Sequence, residues 1–134
     1  MNWLWVVLIA VGGLMAYIRL APSDVARWHV MGEIGGDKAF KSGVIRVVED
    51  APDGLAILDE IILATDRTQV LAGSVGEGMV TYITRSKVMG FPDYTTVRQN
   101  GARLEIFARL RFGQSDLGVN GTRVNNWLTL GQFQ

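Results

Sequence analysis

The feature that most constrains this chain is an eighteen-residue start, Met1 to Ile18, without a charged side chain. Trp3, Leu4, Trp5, Val6, Val7, Leu8, Ile9, Ala10 and Val11 open the run, and Met15 and Ile18 continue it. As a helix rising about 1.5 Å per residue it would extend roughly 27 Å, close to the roughly 30 Å hydrocarbon core of a bilayer. Trp3 and Trp5 at one end, with Tyr17 and Trp28 near the other, are expected at headgroup level, where amphipathic rings are favoured. A cleaved signal peptide would require a positive start and a small-residue cleavage site. Met1 and Asn2 do not supply the first, and Ala16, Tyr17, Ile18 do not resemble the second. The run is therefore expected to be a retained transmembrane anchor over residues 1–20 of a single-pass inner-membrane protein. Arg19 and Arg27, the basic residues nearest the span, favour a cytoplasmic domain without deciding the side. Gly12 and Ala16 lie four apart on one helix face, a spacing that lets a second helix approach closely.

The other 114 positions must supply any folded domain, which is too short for two full ones. Cysteine is absent from the sequence, so there is no disulfide framework and no cysteine zinc site. Ala21, Pro22, Ser23, Asp24 stop the helix, and Gly32, Gly35 and Gly36 mark the following stretch, residues 21–42, as a linker. A domain over 43–134 then begins with Gly43 to Glu49, rich in β-branched residues and expected as a strand. Leu55, Leu58, Ile61 and Ile62 recur at helical spacing, predicting an amphipathic helix over Asp53 to Ala64 with a cap offered by the Asp50, Pro52, Asp53, Gly54 turn. Four strand-like runs follow: Thr68 to Ser74, Met79 to Ser86, Tyr94 to Gln99 and Leu104 to Phe112. Asn100 and Gly101 are expected at the centre of a type I′ hairpin joining the last two. In the last run Leu104, Ile106, Ala108, Leu110 and Phe112 alternate with Glu105, Phe107, Arg109 and Arg111, which suits a sheet covered mainly on one side. Val124, Trp127 and Leu128 close the chain at helical spacing, with Asn120 or Thr122 as the expected cap. The fold class is thus α+β: an N-terminal transmembrane helix, then strand, helix, four strands, helix, with two helices packed on a mainly antiparallel sheet.

Thirteen basic residues balance thirteen acidic ones, so a counterion-releasing nucleic-acid binder is not expected. Residues 1–66 carry 5 basic and 9 acidic side chains and residues 67–134 carry 8 and 4, leaving halves of −4 and +4. Ten of the basic residues are Arg, whose planar fork binds carboxylate or phosphate at two points. Arg85, Arg109 and Arg111 fall on strands expected to be neighbours, with Asp93 and Asp116 in adjacent turns. Two readings stand for these five: a structural network tying turns to the sheet, or an anion pocket for a lipid headgroup, phosphate or carboxylate. His29 is the only histidine, so no multi-histidine metal site exists and no metal or other cofactor is expected. Ser23, Asp24 and His29 sit in one short stretch where a nucleophile triad rarely converges, leaving Trp28 to the membrane interface and His29 to solvent. Gly73, Ser74, Val75, Gly76, Glu77, Gly78 lacks the lysine of a phosphate-binding loop.

The run from Arg109, Leu110, Arg111, Phe112, Gly113, Gln114, Ser115, Asp116, Leu117, Gly118, Val119 and Asn120 to Arg123 resembles the closing signature of an uncharacterised bacterial family, domain of unknown function 1499. The Arg85 strand and the Phe91, Pro92, Asp93, Tyr94 turn are similar too, so the resemblance covers roughly residues 40 to 130. Gly121 stands where members resembling this chain often carry a basic residue. The resemblance implies one family domain behind an anchor and brings no activity with it. With no convincing catalytic constellation, the expected function is a non-catalytic, membrane-anchored accessory or assembly subunit of a larger membrane complex, such as a respiratory or other energy-converting one. Its expected partners are the bilayer and other membrane subunits. The competing expectation is an anion or lipid-headgroup binding domain that uses the Arg cluster.

Overall fold

The uncharged run forms one continuous helix. In a computed structural model, which describes residues 2–133, α1 spans Asn2–Leu20 and is long and apolar enough to cross a membrane. Met1 of the expected anchor and Gln134 of the expected domain lie outside the described residues. Only the last turns of α1 meet the rest of the chain: Ile18 is buried, and Tyr17 sets its ring edge-on to Phe112 at 6.1 Å.

The stretch expected as a linker is built into the fold. A four-residue helix, α2 (Val25–Trp28), is capped by the Asp24 carboxylate, which accepts from the Ala26 N–H at 3.0 Å. A short strand, β1 (Lys38–Phe40), precedes β2 (Gly43–Val48), so the sheet gains a strand that three residues of pattern could not announce. Then follow α3 (Gly54–Leu63), β3 (Thr68–Ser74), β4 (Met79–Arg85), β5 (Pro92–Asn100), β6 (Arg103–Leu110) and α4 (Val119–Leu130). The strands form one antiparallel sheet in the order β1-β2-β6-β5-β4-β3, with β6 central as its apolar alternation requires. The sequence-based fold class of an α+β domain with helices on an antiparallel sheet behind an apolar N-terminal helix is therefore the observed one.

The β5–β6 hairpin turns one residue later than expected. Asn100 pairs with Arg103, which leaves Gly101 and Ala102 at the centre. Only Gly101 has positive φ, +62°, the sign pattern of a type II′ turn with glycine first. Asp53 makes no side-chain cap to α3; Gln99 does that work from the sheet, its Oε1 accepting from the Leu55 N–H at 2.9 Å while its Nε2 donates to Ala51 O. Nor do Asn120 and Thr122 cap α4, which starts earlier, at Val119.

One face of the sheet is apolar and takes both helices. Val44, Val48, Val80, Tyr82, Val97, Leu104, Ile106 and Ala108 pack against Leu55, Leu58 and Ile62 of α3 and Val124 and Trp127 of α4. Burying such side chains contributes roughly 1.5 to 3 kcal/mol each. The opposite face, expected to be open, is covered by residues 22–35. Trp28 is a buried core residue here instead of an interfacial one, stacked on Tyr94 with centroids 4.0 Å apart and 12° between planes. His29 is half-buried and not free in solvent, its Nδ1 lying 2.7 Å from Thr81 Oγ1. The alternation in β6 remained visible while its second face was hidden, because that face is buried by polar contacts.

Candidate functional site

The three candidate arginines all project on the covered side of the sheet, and the structure separates them from both aspartates. Arg109 is 6% exposed and donates from Nη1 to Thr96 Oγ1 at 2.8 Å and Phe107 O at 3.0 Å, and from Nη2 to Trp28 O. Its guanidinium also lies over the Phe107 ring at 4.3 Å and the Trp28 ring at 5.4 Å. Burial lowers its pKa to about 10, which still leaves it charged at neutral pH. Arg111 donates from Nη1 to Pro22 O and to the Tyr94 hydroxyl, both at 3.1 Å. These two arginines are spent on holding residues 22–28 against the sheet. Ser23 joins them through a 2.6 Å bond to the same Tyr94 hydroxyl, while His29 bonds elsewhere, so Ser23, Asp24 and His29 form no triad.

The aspartates belong to the helix side. Asp93 pairs with Arg123, Nη1 to Oδ2 3.2 Å, a partner that sequence reasoning had not assigned to it. Burial, the largest influence, holds the Asp93 carboxyl above its ordinary value, and Arg123 opposes it. Asp116 accepts from the Gly118 N–H at 2.9 Å and the Asn120 N–H at 3.1 Å, so it caps α4. The three arginines thus make no network with these two carboxylates, which are joined instead through the buried Asn120: its Nδ2 donates to Asp116 Oδ2 at 3.0 Å and to Asp93 Oδ2 at 3.4 Å, and its Oδ1 accepts from Arg123 Nη1 at 3.0 Å. Asp116→Ala should accordingly cost about 2 kcal/mol, a cap together with a hydrogen bond from the buried Asn120 amide. Chemical denaturation checks this, and a loss of about 3 to 5 kcal/mol, typical of a broken buried ion pair, would contradict the capping role.

Arg85 has a different setting. It stands at the end of β4 where α1 leaves the domain, and its Nη1 donates to Ile18 O at 3.3 Å and Gly90 O at 3.0 Å. Arg19 of α1 lies across the same loop and donates from Nη2 to Val88 O at 2.6 Å. Gly90 makes this approach possible: its φ is +73°, and a Cβ there would sit 2.9 Å from Arg19 Cγ. Arg67 completes the group, its Nε donating to Arg85 O at 3.1 Å. With Lys87 these residues line a cleft of about 530 Å³, floored by Thr68, Gln69 and Ile83. Among the described residues, Asp66 is the only acid within 4.0 Å of any of the four cations, and it reaches only Arg67. Each guanidinium carries five N–H donors, so the backbone contacts leave several free to bind an anion in two-point fashion.

Sequence reasoning named Arg85 but missed Arg19, Arg67 and Lys87. Arg19 was read only as a charge flanking the span, and Arg67 and Lys87 sit beside turns. Pairing of Thr68 with Thr84 across β3 and β4 places Arg67 beside Arg85. The one available signal was the short spacing of Arg85 and Lys87 around a hairpin end.

A family model described as a protein of unknown function (DUF1499) matches residues 23–130. The match begins within the segment that covers the sheet, ahead of the stretch from about residue 40 over which the closing signature and the Phe91 to Tyr94 turn carry the resemblance, and leaves α1 outside it. No curated protein and no solved structure matches the chain.

Proposed function

The chain belongs to the family of proteins of unknown function DUF1499, and from that premise we propose that it is a non-catalytic, single-pass module of the bacterial inner membrane whose basic cleft takes a phosphate-bearing anion at headgroup level. The observation that carries this reading is the convergence of Arg19, Arg67, Arg85 and Lys87 where α1 meets the domain. A helix of 19 residues extends about 28 Å, matched to the bilayer core, so its last turn and the cleft beside it fall in the headgroup layer. Each basic residue near an anionic leaflet contributes roughly 1 kcal/mol of attraction, and the fork of an arginine suits a phosphate. Arg19 and Arg27 favour the cytoplasmic side.

Native mass spectrometry of the full chain released from vesicles of phosphatidylethanolamine and phosphatidylglycerol tests the cleft. The expected result is retained phosphatidylglycerol, reduced about tenfold or more in an Arg67→Gln/Lys87→Gln variant, the size of one lost contact of about 1.4 kcal/mol. Displacement by inorganic phosphate would assign the cleft to phosphate in general and not to the lipid. Equal retention by the variant would remove the cleft from consideration.

The accessory-subunit reading is supported by a separate feature. Ala16 is exposed, and nothing lies within 4 Å of a Cβ placed on Gly12, so this face of α1 is open to a partner helix. In the same experiment a Gly12→Leu/Ala16→Leu variant should keep its lipid but lose comigration with a larger assembly on a native gel. Unchanged comigration would leave α1 a tether only.

A further inference from the structure

Antiparallel pairing sorts the turns of the sheet into two ends that differ in their balance of charge. Gly43, Thr84, Asp93, Arg109 and Leu110 share one end, the end at which α1 docks. The loops there carry Lys41, Arg67, Lys87 and Arg111, together with Arg19 from α1, against Asp66, which is paired with Arg67, and Asp116, which is turned to the start of α4. The opposite end carries Glu49, Asp50, Asp53 and Glu77 on the turns after β2 and β3.

The α1 end also displays large apolar side chains to the exterior. Leu20 is 80% exposed, Val88 73% and Leu117 91%, with Met89 beside Val88. Val88 and Leu117 project from loops that are held rigid. The β4–β5 loop is clamped by Ser86 N to Phe91 O at 3.0 Å, by Phe91 N to Ser86 Oγ at 2.9 Å, and by Arg19 and Arg85 on the carbonyls of Val88 and Gly90. Leu117 has φ +53°, a left-handed conformation that a leucine rarely adopts. It is held there by its N–H bond to Ser115 Oγ at 3.2 Å, while Asp116 fixes Gly118 and Asn120 behind it. A strained backbone that turns a leucine outward is maintained by its surroundings and points to a use for the exposed side chain.

We infer that the α1 end of the domain is a membrane-binding face, with Val88 and Leu117 entering the acyl boundary and Arg19, Lys41, Arg67 and Lys87 lying among the phosphates of anionic lipid. The occupant follows from position and charge. The bilayer that α1 would cross begins where this face lies, and basic residues around apolar tips match an anionic lipid surface, while the acidic end points away from it. The inference rests on α1 being a membrane anchor and shares Arg19, Arg67 and Lys87 with the cleft, whereas Val88, Met89 and Leu117 lie outside the cleft lining and report on the face by themselves.

Because the chain has no cysteine, single labels report without background. Nitroxide labels at Val88→Cys, Met89→Cys and Leu117→Cys in the full chain, in vesicles of phosphatidylethanolamine and phosphatidylglycerol, are compared with Ile9→Cys in α1 and Glu77→Cys at the opposite end. Collision with dissolved oxygen marks a lipid setting, and collision with a water-soluble nickel chelate marks an aqueous one. Labels at 88, 89 and 117 are expected to follow 9, and the label at 77 to be aqueous. Should 9 be in lipid with 88, 89 and 117 in water, this inference is overturned alone and the anchor stands. An aqueous label at 9 overturns both. Labels at 88 and 117 shielded from both reagents would mark a protein contact and likewise overturn it.

Discussion

Replacing Trp28 by alanine is expected to destabilise the domain by about 3 to 5 kcal/mol, the range for deleting a large aromatic from a core. Trp28 is buried in a four-residue helix that has little stability of its own. Its ring supplies the apolar contact of this layer by stacking on Tyr94, with Ile83 and Leu71 beside the pair. The guanidinium of Arg27 lies 4.7 Å above the same ring and that of Arg109 at 5.4 Å. Removing the ring therefore also exposes Arg109, whose contacts to the Trp28 carbonyl depend on α2 staying in place. Urea unfolding of the full chain in mild detergent, followed by circular dichroism, measures the loss. Trp28→Phe should retain more than half of the stability that alanine removes. A loss below about 1 kcal/mol for alanine would mean that residues 22–35 are dispensable to the core.

The second large effect is expected at Arg98. Glu105 is 1% exposed, and its carboxylate accepts from Arg98 Nε at 2.7 Å, with Arg103 at 3.6 Å. Arg98 also donates to Met31 O at 3.0 Å and Gly32 O at 2.9 Å, so a single side chain neutralises a buried acid and fastens the covering segment. Arg98→Met strands the carboxylate with a weaker partner and should cost about 3 kcal/mol or more. Adding Glu105→Leu removes the stranded charge and should restore a large part of that loss, since a buried pair replaced by apolar groups is often near neutral. If the double variant is as unstable as the single one, the effect comes from the lost carbonyl contacts and not from the ion pair.

These two sites show where the sequence was legible. The apolar face of β6 and the α3 stripe obey period rules that act over a few residues and could be read directly, and the hairpin after β5 could be read to within one residue of its turn. The second sheet face could not, because its layer is made by residues 22–35 bonding to Arg98, Arg103, Arg109 and Arg111, more than 60 positions away. Glycines at 32, 35 and 36 looked like a flexible connection, yet the carbonyls of Gly32 and Gly35 are what Arg98 and Arg103 bind. For the candidate site, Arg85 was visible as a strand arginine, but its companions come from α1 and from the start of β3. Only the strand order brings Arg67 beside it. Arg109 and Arg111 looked equivalent to Arg85 in sequence and serve the backbone of the cover instead.

The covering layer also fixes an order of events during synthesis. The bonds from Arg109 to Trp28 and from Arg111 to Pro22 join residues 81 and 89 positions apart. At roughly 5 to 20 residues per second, the segment beside α1 waits about 4 to 18 s after its own translation before its partners exist. The four strands from β3 to β6 are joined by adjacent hairpins and close locally, whereas the cover depends on contacts of long sequence separation. The first part of the domain to leave the ribosome is thus the last to find its place, and α1 has that interval in which to reach a bilayer.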